Sequence, residues 1–567
     1  MVGDSTQQRS PGLGRGHVAG HQVPGLPVWV EYHNSMIRSQ SRTSRPSLMI
    51  AATLACAAIA GTVLPGCSSG SDSSSTTAST ASTTTVDPGA GSTTTADGGE
   101  IVETTFATTQ GLPFSEPPVI KSSAGVLETT FNTKPTVFDV AGKQVKGMSY
   151  AGEFTGPTLL VNPGDLIRIN LNNGLNDATN FHTHGMHVSP IGISDNVLRV
   201  MAPGTENLVE IQVPTTISPG TYWYHAHMHG DTEAQVFSGL VGALVVTGLT
   251  ELLPEDLRSA PEHLLALRDL QLDESGTAIQ TKDIDSGAPT TRTVNGLVNP
   301  VLTAQPGETQ LLRLGNMSAD IWYKLKMEGA SFNVVVEDSN PVGTVWSKDT
   351  LLLPPGKRYD VLMRWDEPGS FKLVTLPYQT GPDGDSYPLR TLATIKVEGD
   401  PVPAKALPTS LAPTPDLENA EIAQHREVVF SEKESESKFF INGKEFEMGS
   451  VAFYPKLGTT EEWTIKNVTN EEHPFHIHVN DFQVMSVNGV AIPPLSLQDV
   501  VRLPAKGEVV IRMAFTDYVG KFVFHCHILA HEDHGMMAVV DVTENGGPPP
   551  AGSEESTTSM SESMPGM

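Results

Sequence analysis

Cysteine is almost absent from this chain, which has three cysteines in 567 residues. Cys56 and Cys67 lie in an N-terminal leader, so Cys526 is the only thiol in the body of the protein. No disulfide is therefore expected, and the fold must be held together by hydrophobic cores. A lone thiol also excludes a structural zinc site that is built from several cysteines.

Basic residues are also few, since 36 lysines and arginines stand against 64 acidic residues and give a formal net charge of −28. This balance argues against nucleic acid and anionic lipid as partners, because both carry negative charge. Long apolar runs are missing too, apart from one between Leu48 and Leu64. That run is shorter than the roughly 20 apolar residues that a transmembrane helix needs.

The leader predicts export. Arginines between residues 38 and 45 precede the apolar run, as in a secretory signal peptide that starts at Met36. We expect residues 36–67 to be this signal peptide and residues 1–35 to be an upstream extension without a role. The run ends in Leu-Pro-Gly-Cys, which resembles a bacterial lipoprotein cleavage site. An extracellular or cell-envelope protein is expected, attached to the membrane if Cys67 is lipidated and free if cleavage falls upstream.

Two segments are too polar to bury a core. Residues 68–110 consist largely of Ser, Thr, Gly and Ala and predict a flexible tether. Residues 546–567 form a similar tail that also carries Met560, Met564 and Met567. Both are expected to be disordered flanks of a folded region.

The folded region repeats itself. A turn followed by a strand of mixed apolar and polar residues begins at Pro163, Pro306 and Gly458, a period of about 140 to 150 residues. A second pattern aligns Gly220–His225 with Gly520–His525, and a middle copy without histidine begins at Gly369. Short strands between Gly and Pro turns predict antiparallel β-sandwiches. We therefore predict an all-β protein of three related domains, at residues 111–250, 251–410 and 421–545.

The segment that begins at His525 is the most informative in the chain. Cys526 has a histidine on each side, and His531 and Met536 follow. Because side chains alternate between the two faces of a strand, His525 and His527 point one way and Cys526 points the other. One strand could thus serve two metal sites on opposite faces.

Three further clusters supply partners for that strand. Each contains a histidine pair with one residue between, which places both rings on one face of a strand. A single pair is a weak signal, but ten buried imidazoles without metal would leave many ring nitrogens without hydrogen bonds. Ten of the eighteen histidines lie in the four motifs: His182, His184, His225, His227, His473, His476, His478, His525, His527 and His531.

The ligand types identify the metal. Two histidines, one thiolate and a weak axial methionine make a trigonal copper site. Cys526, His473 and His531 fit this set, with Met536 placed to be the axial ligand. The other eight histidines suit a cluster of several copper ions. Four of them come from the first domain and four from the third, so the cluster must lie between those domains.

The four motifs resemble those of the multicopper oxidases, over roughly residues 111–545. The resemblance implies three cupredoxin-like Greek-key β-sandwich domains and four copper ions, with the middle domain holding the outer two face to face. Thr183 departs from many relatives, which have an aromatic residue there, and we expect it to affect packing rather than ligation. The implied ligands are His473, Cys526, His531 and Met536 for type 1 copper, His182 and His476 for type 2, and His184, His225, His227, His478, His525 and His527 for the type 3 pair.

The resemblance also implies a reaction. A small reducing substrate gives single electrons to the type 1 site, and Cys526 passes them to the cluster, where O₂ is reduced to water. Glu532 matches an acid that bacterial laccases use near dioxygen, and Asp195 matches the acid near type 2 copper. We expect both to relay protons, the alternative being solvated surface carboxylates. Three other histidines near the motifs are not expected to be ligands: His187, His229 and His534.

The leading functional prediction is a laccase-like oxidase of phenols or aromatic amines. An oxidase of cuprous or ferrous ions is the nearest alternative, which the tail methionines favour weakly because thioethers bind Cu(I). A two-domain nitrite reductase would lack the full set of type 3 ligands. A non-enzymatic copper-binding envelope protein is expected to have lost ligands, and this chain keeps all of them. The sequence leaves the oligomeric state open.

Overall fold

The computed structural model describes residues 111–271, 290–413, 416–494 and 496–549. Strands account for 51% of the structure and helices are few, which confirms the predicted all-β class. The predicted signal peptide, Cys67 and the tether at residues 68–110 lie outside the described residues. The three tail methionines lie outside them as well.

Domain 1 is a sandwich of two sheets. One sheet has the strand order β1-β4-β9-β8-β6 and the other has the order β3-β2-β5-β7. Helix α1 (Thr232–Ser238) lies between the last two strands. The strands are β1 (Val119–Lys121), β2 (Val126–Val140), β3 (Lys143–Ser149), β4 (Gly156–Val161), β5 (Leu166–Asn173), β6 (His182–His184), β7 (Glu206–Gln212), β8 (Gly220–His225) and β9 (Val241–Val246).

Domain 2 begins with helix α2 (Leu249–Leu252) and a 3₁₀ turn (Glu255–Leu257). Its sheets have the orders β11-β10-β13-β18-β15-β16 and β12-β22-β19-β14-β17, and β20 and β21 form a small ribbon. The strands are β10 (Glu262–Leu270), β11 (Thr291–Val294), β12 (Val301–Ala304), β13 (Thr309–Asn316), β14 (Tyr323–Met327), β15 (Phe332–Glu337), β16 (Asn340–Lys348), β17 (Thr350–Leu353), β18 (Arg358–Arg364), β19 (Gly369–Thr375), β20 (Tyr378–Gln379), β21 (Ser386–Tyr387) and β22 (Arg390–Val397).

Domain 3 repeats the arrangement, with the sheet orders β24-β23-β26-β31-β28-β29 and β25-β33-β32-β27-β30. A 3₁₀ turn (Glu434–Glu436) follows its first strand, and helix α3 (Leu529–Asp533) precedes its last. The strands are β23 (Ile422–Lys433), β24 (Lys438–Ile441), β25 (Val451–Phe453), β26 (Thr459–Asn467), β27 (His473–Ile477), β28 (Phe482–Val487), β29 (Val490–Ala491), β30 (Val500–Leu503), β31 (Glu508–Phe515), β32 (Gly520–Cys526) and β33 (Met537–Val542).

Alternating burial along the strands builds a separate core in each domain. In β5 and β31 buried residues alternate with partly exposed ones, so one face of each strand packs inward. Large aromatic side chains fill the three main cores, including Phe131 in domain 1, Trp322 in domain 2 and Trp463 in domain 3. The core of domain 3 also contains Cys526 and Met536. The only thiol in the body of the protein is therefore part of a packed interior.

The second sequence repeat occupies equivalent places in the three domains. Strands β8, β19 and β32 each pair antiparallel with the last strand of their own domain, which is β9, β22 or β33. On the other side they pair with β6, β14 and β27. The histidines of domains 1 and 3 thus lie on matching strands, and the matching strands of domain 2 have none.

Helices contribute little to the fold. The longest described helix, α1, has seven residues. Across the described ranges, no helix has the length and apolar character needed to cross a bilayer.

Candidate metal centre

Two antiparallel strand pairs carry most of the motif histidines. The pairing of β6 with β8 sets His182 opposite His225 in domain 1. The pairing of β27 with β32 sets His476 opposite His525 in domain 3. The rings of the two domains meet, since His184 stacks on His476 with centroids 3.9 Å apart. The local strand register thus places both sets of rings at one interface.

The structure brings the motif residues into four groups whose nitrogen or sulfur atoms lie within 4.8 Å of one another. His184 is shared by two of the groups, and the ring of His525 in a third lies 5.3 Å from that of His476. Three groups therefore form one cluster between domains 1 and 3, and the fourth lies within domain 3. The groups are His182 with His184 and His476, His184 with His225 and His527, His227 with His478 and His525, and His473 with Cys526 and His531.

Distances within the cluster fit shared metal ions. His525 Nε2 lies 3.2 Å from His227 Nε2 and 3.3 Å from His478 Nε2. His527 Nε2 lies 3.2 Å from His184 Nδ1. Two ligands that are each about 2.0 Å from one ion at a tetrahedral angle are about 3.3 Å apart. The observed separations therefore suit nitrogens that face a common ion.

Several ring nitrogens need a metal to be satisfied. His182 Nε2, His225 Nε2 and His476 Nε2 are buried and have no hydrogen-bond partner among the described residues. Burial lowers the pKa of His225 to about 3 and that of His525 to about 4, so both rings are neutral at physiological pH. A neutral imidazole offers a lone pair to a metal, and an unpaired buried nitrogen is costly without one.

The fourth group contains the thiol of Cys526 and two histidine rings. Cys526 Sγ lies 3.6 Å from His473 Nδ1 and 3.7 Å from His531 Nδ1, and the two nitrogens are 3.3 Å apart. Met536 is fully buried in the same core, and its carbonyl accepts a hydrogen bond from Cys526 N at 3.0 Å. Burial raises the pKa of the Cys526 thiol well above its usual range, so the thiolate needs a bound cation. One sulfur and two imidazole nitrogens at these separations suit copper.

Hydrogen bonds to the outer ring nitrogens fix several rings. His225 Nδ1 donates to Ala226 O at 2.8 Å, and His525 Nδ1 donates to Cys526 O at 2.9 Å. Each bond holds Nδ1 as the protonated nitrogen and leaves Nε2 to face the cluster. His531 differs because it is 12% exposed and stacks on Phe439 with centroids 4.0 Å apart. Its outer edge gives this site access to solvent.

Asp195 lies behind the first histidine of the cluster. His182 Nδ1 donates to Asp195 Oδ1 at 3.0 Å, and the Thr183 hydroxyl donates to Asp195 Oδ2 at 2.7 Å. Burial raises the pKa of Asp195 to about 7. The alternative of a solvated surface carboxylate is therefore excluded for this residue. Thr183 does more than pack, because its hydroxyl holds Asp195, a role that sequence reasoning missed.

Glu532 lies on helix α3 and is also buried. Its carboxylate is 3.2 Å from His525 Nδ1 and 3.4 Å from His227 Nδ1, and it accepts a hydrogen bond from Thr232 at 3.1 Å. Burial raises its pKa well above the usual range for glutamate. The carboxyl group can thus hold a proton next to two rings of the cluster, and it is no surface residue.

The three other histidines near the motifs lie outside the four groups. His187 bonds to Val479 O at 2.6 Å and to Asp517 at 2.9 Å, away from the four groups. His229 packs edge-on against Phe446, and His534 Nδ1 bonds to Ala530 O. Neither is a member of the four groups.

Asp499 was missed by sequence reasoning, although it contacts two cluster rings. Its Oδ1 lies 3.1 Å from His184 Nε2, and its carbonyl accepts a hydrogen bond from His476 Nδ1 at 2.8 Å. No histidine motif or charge pattern surrounds it in the sequence.

The fold and the centre together define a β-sandwich redox metalloprotein, in which one strand links a cysteine-containing site to a histidine cluster. Three family models, each described as multicopper oxidase, match residues 132–250, 263–400 and 415–546. The chain belongs to the multicopper oxidase family. This confirms the resemblance seen in the sequence and the expected cupredoxin architecture. The protein is accordingly a copper-dependent oxidoreductase that uses O₂ and a reducing substrate.

Individual relatives are similar at modest identity. The multicopper oxidase mco of Staphylococcus haemolyticus is 28% identical over 405 residues, which cover 70% of this chain and 84% of the relative. The laccase of Bacillus subtilis is 28% identical over 367 residues, covering 57% of this chain and 70% of the relative. The solved structure of a Campylobacter jejuni multicopper oxidase, described as a metallo-oxidase, matches with a TM-score of 0.67 at 27% identity, and the match covers 76% of this chain and 95% of the other.

Proposed function

We propose that the protein is a laccase-like oxidase that couples one-electron oxidation of phenols or aromatic amines to the four-electron reduction of O₂ to water. The observation that carries this proposal is the place of Cys526 in the fourth group, while its neighbours His525 and His527 belong to the cluster. Bound copper supplies the electron transfer and the O₂ reduction. The chain supplies a direct covalent path between a partly exposed site and a buried one.

The proposed copper assignment follows the four groups. His473, Cys526 and His531 would hold a type 1 copper, with the buried Met536 as a fourth, weaker ligand. The cluster would hold the other three coppers, and its three groups of ring nitrogens, two of which share His184, support this number. The proposed ligands are His182 and His476 for type 2, with His184, His225, His227, His478, His525 and His527 for the type 3 pair.

The surroundings of His531 support an aromatic donor. The exposed edge of its ring is the accessible part of the fourth group, and Phe439 stacks on one face of the ring. A planar donor can therefore approach an aromatic surface next to a ligand. The similarity to the Bacillus subtilis laccase supports the same donor class.

Oxidation of a metal ion is the second candidate, and one observation favours it. Glu471 Oε2 lies 3.9 Å from His531 Nε2, so a carboxylate stands beside the exposed edge of the ring. A cationic donor would be attracted to this place. The similarity to the Campylobacter jejuni metallo-oxidase supports this candidate.

Oxygen consumption with a donor panel tests the proposal. Purified copper-loaded protein is given a phenol, an aromatic amine, Cu(I) or Fe(II), and kcat/KM is compared. We expect blue absorbance and faster O₂ uptake with the aromatic donors. Copper-loaded protein that consumes no O₂ with any donor would contradict the oxidase and leave a non-enzymatic copper-binding protein.

Glu471→Gln separates the two donor classes. If metal ions are the substrate, kcat/KM for Fe(II) or Cu(I) should fall about tenfold, or about 1.4 kcal/mol of transition-state stabilisation. The value for a neutral phenol should change little. Glu447→Gln is the control, since Glu447 is an exposed glutamate of the same domain.

We also propose that the enzyme is exported and acts outside the cytoplasm. The arginines and apolar run of the leader support export, and the sequence around Cys67 supports lipid attachment. Cells that express the wild-type chain or Cys67→Ser are labelled with a fatty acid and fractionated. Label and membrane association that require Cys67 are expected, whereas an unlabelled wild-type protein argues against the anchor.

A further inference from the structure

None of the described residues of domain 2 is a ligand of the cluster, yet one of its turns contacts the cluster rings. Gly356, just before β18, has φ +85°, a conformation that L side chains rarely adopt. A Cβ atom at this position would lie 3.0 Å from His184 Cε1 and 3.0 Å from His527 Cδ2. The backbone of domain 2 therefore packs directly against rings from domains 1 and 3.

The residue two places further on makes a fully buried ion pair. Arg358 Nη1 lies 2.6 Å from Asp499 Oδ1, and Arg358 Nη2 lies 2.7 Å from Asp499 Oδ2. The same guanidinium donates to Ser339 Oγ at 2.9 Å and to Thr221 O at 3.2 Å. A planar fork with two parallel bonds fixes the orientation of a carboxylate more tightly than a single bond does.

Asp499 contacts two rings of the cluster, so its fixed orientation also orients those rings. Its Oδ1 lies 3.1 Å from His184 Nε2, which leaves Nδ1 of that ring to face His527 Nε2. Its carbonyl accepts from His476 Nδ1 at 2.8 Å, which leaves Nε2 of that ring free. One residue thus orients a ring of domain 1 and a ring of domain 3.

The backbone around Asp499 is held from domain 2 as well. Asp338 Oδ2 accepts from Val500 N at 3.1 Å. Lys357 Nζ donates to Asp338 Oδ2 at 2.8 Å and to Val500 O at 3.0 Å. The segment therefore has little freedom to shift away from the rings.

We infer that Arg358 is a positioning residue for the histidine cluster, acting through Asp499 on His184 and His476. A buried ion pair is weak evidence for stability, because apolar residues of similar volume often do as well. What an apolar replacement cannot do is contact His184 Nε2 and so orient that ring. Domain 2 is then part of the machinery that shapes the cluster, in addition to joining the outer domains.

Arg358→Lys keeps the charge and removes the fork. Arg313→Lys is the matched control, because Arg313 is also a buried arginine of domain 2 and bonds to Asp360 at 2.8 Å and to Glu262 at 2.7 Å. It also reaches the hydroxyl of Thr221 in domain 1, at 3.4 Å, but no cluster ring. Both variants disturb a buried ion pair near the same domain interface.

The measurements use the full copper-loaded protein: copper per chain, the electron paramagnetic resonance signals of type 1 and type 2 copper, and loss of copper to a chelator over time. We expect Arg358→Lys to hold cluster copper about ten- to hundredfold more weakly, while the type 1 signal and blue colour persist. Arg313→Lys should keep all signals. Similar retention of cluster copper in wild type, Arg358→Lys and Arg313→Lys would overturn the inference.

A second variant decides the matter if Arg358→Lys does not fold. Asp499→Asn keeps the shape and the carbonyl that holds His476 but weakens the contact with His184, so a selective loss of cluster copper is again expected. Wild-type retention in that variant would overturn the inference. The inference rests on the proposed copper assignment, and a wild-type chain that binds no cluster copper would contradict that assignment itself.

Discussion

Asp195 and Glu532 each lie against the outer nitrogen of a ring in the cluster, on His182 and His525 respectively. A buried carboxylate without a cation nearby is costly, and burial accordingly raises the pKa of both groups. Each can therefore hold a proton where a surface carboxylate would have lost it. The position beside the rings, more than the residue type, makes these two acids suitable for proton delivery to reduced oxygen.

Substitution of Glu532 by glutamine should slow turnover and spare the metal. The amide keeps the shape and can still contact Thr232, but it cannot exchange a proton, and loss of a proton-transfer group typically costs about a hundredfold or more in rate. We expect kcat to fall by about that factor while copper content and blue absorbance stay at wild-type levels. Thr232→Val is the control, because it retains the carboxyl group. An unchanged kcat at every pH would rule out the relay.

Asp481 gives a prediction about stability and pH. Burial, first, and the charges of Asp499 and Asp338 outweigh a hydrogen bond from Asn340 and the charge of Arg358, and together they raise its pKa from 3.8 to about 8. Between these two pKa values the folded chain keeps a proton that the unfolded chain has lost. The contribution of Asp481 to the free energy of unfolding therefore falls as pH rises from about 4 to about 8.

Asp481→Asn should remove that dependence. Near the folded-state pKa of about 8 we expect its Tm to exceed that of the wild type by roughly 2 °C or more. A gain of about 1 kcal/mol in the free energy of unfolding would produce this shift. Near the unfolded-state pKa of Asp481 the two Tm values should match. Scanning calorimetry across this pH range checks it. Asp177→Asn changes an exposed aspartate and serves as the control. Parallel Tm curves for wild type and Asp481→Asn would show that the group is ionised in the fold.

Helix α1 depends on a cap that comes from another domain. The N-cap residue that precedes it, Asp231, makes no side-chain capping bond to the helix. Asp533 of domain 3 instead accepts from Gly230 N at 2.7 Å, Thr232 N at 3.2 Å and Glu233 N at 2.9 Å. The first turn of a domain 1 helix is thus completed only when domain 3 is docked.

Asp533→Ala should loosen that contact. Three backbone amides lose their acceptor, and we expect a loss of about 1 to 2 kcal/mol of stability. Asp533→Asn keeps an acceptor oxygen and should lose less. Denaturant unfolding of the three proteins gives the comparison, and equal midpoints for wild type and Asp533→Ala would contradict the cap.

The elements show which features the sequence could predict. The alternation of His525, Cys526 and His527 is a local property of a strand, so it predicts the two-sided site without knowledge of the fold. Asp499 lies 23 residues after His476 and contacts it only because β27 and β30 pair in space. Arg358 is in a different domain altogether. Such contacts depend on how three domains dock, and no residue spacing in the sequence predicts them.

At the scale of the whole molecule, the cluster is the place where the domains meet. Domain 1 and domain 3 each supply four rings, and domain 2 closes the site with Gly356 and the ion pair between Arg358 and Asp499. The group of His473, Cys526 and His531, by contrast, lies within domain 3. Copper in the cluster should therefore hold domains together, whereas copper at the type 1 site should stabilise one domain.

Removal of copper tests this difference. A ligand that binds only the folded state adds about 4 kcal/mol at a thousandfold excess over Kd, so apo protein should unfold at a clearly lower Tm than loaded protein. Cys526→Ser removes the proposed type 1 site alone and should keep most of the rise in Tm on copper addition. His225→Ala removes a ring that faces domain 3 and should lose most of that rise. Calorimetry of the wild type and the two variants, with and without copper, measures the rise for each protein. An equal rise in Tm for the two variants would mean that the cluster copper does not join the domains.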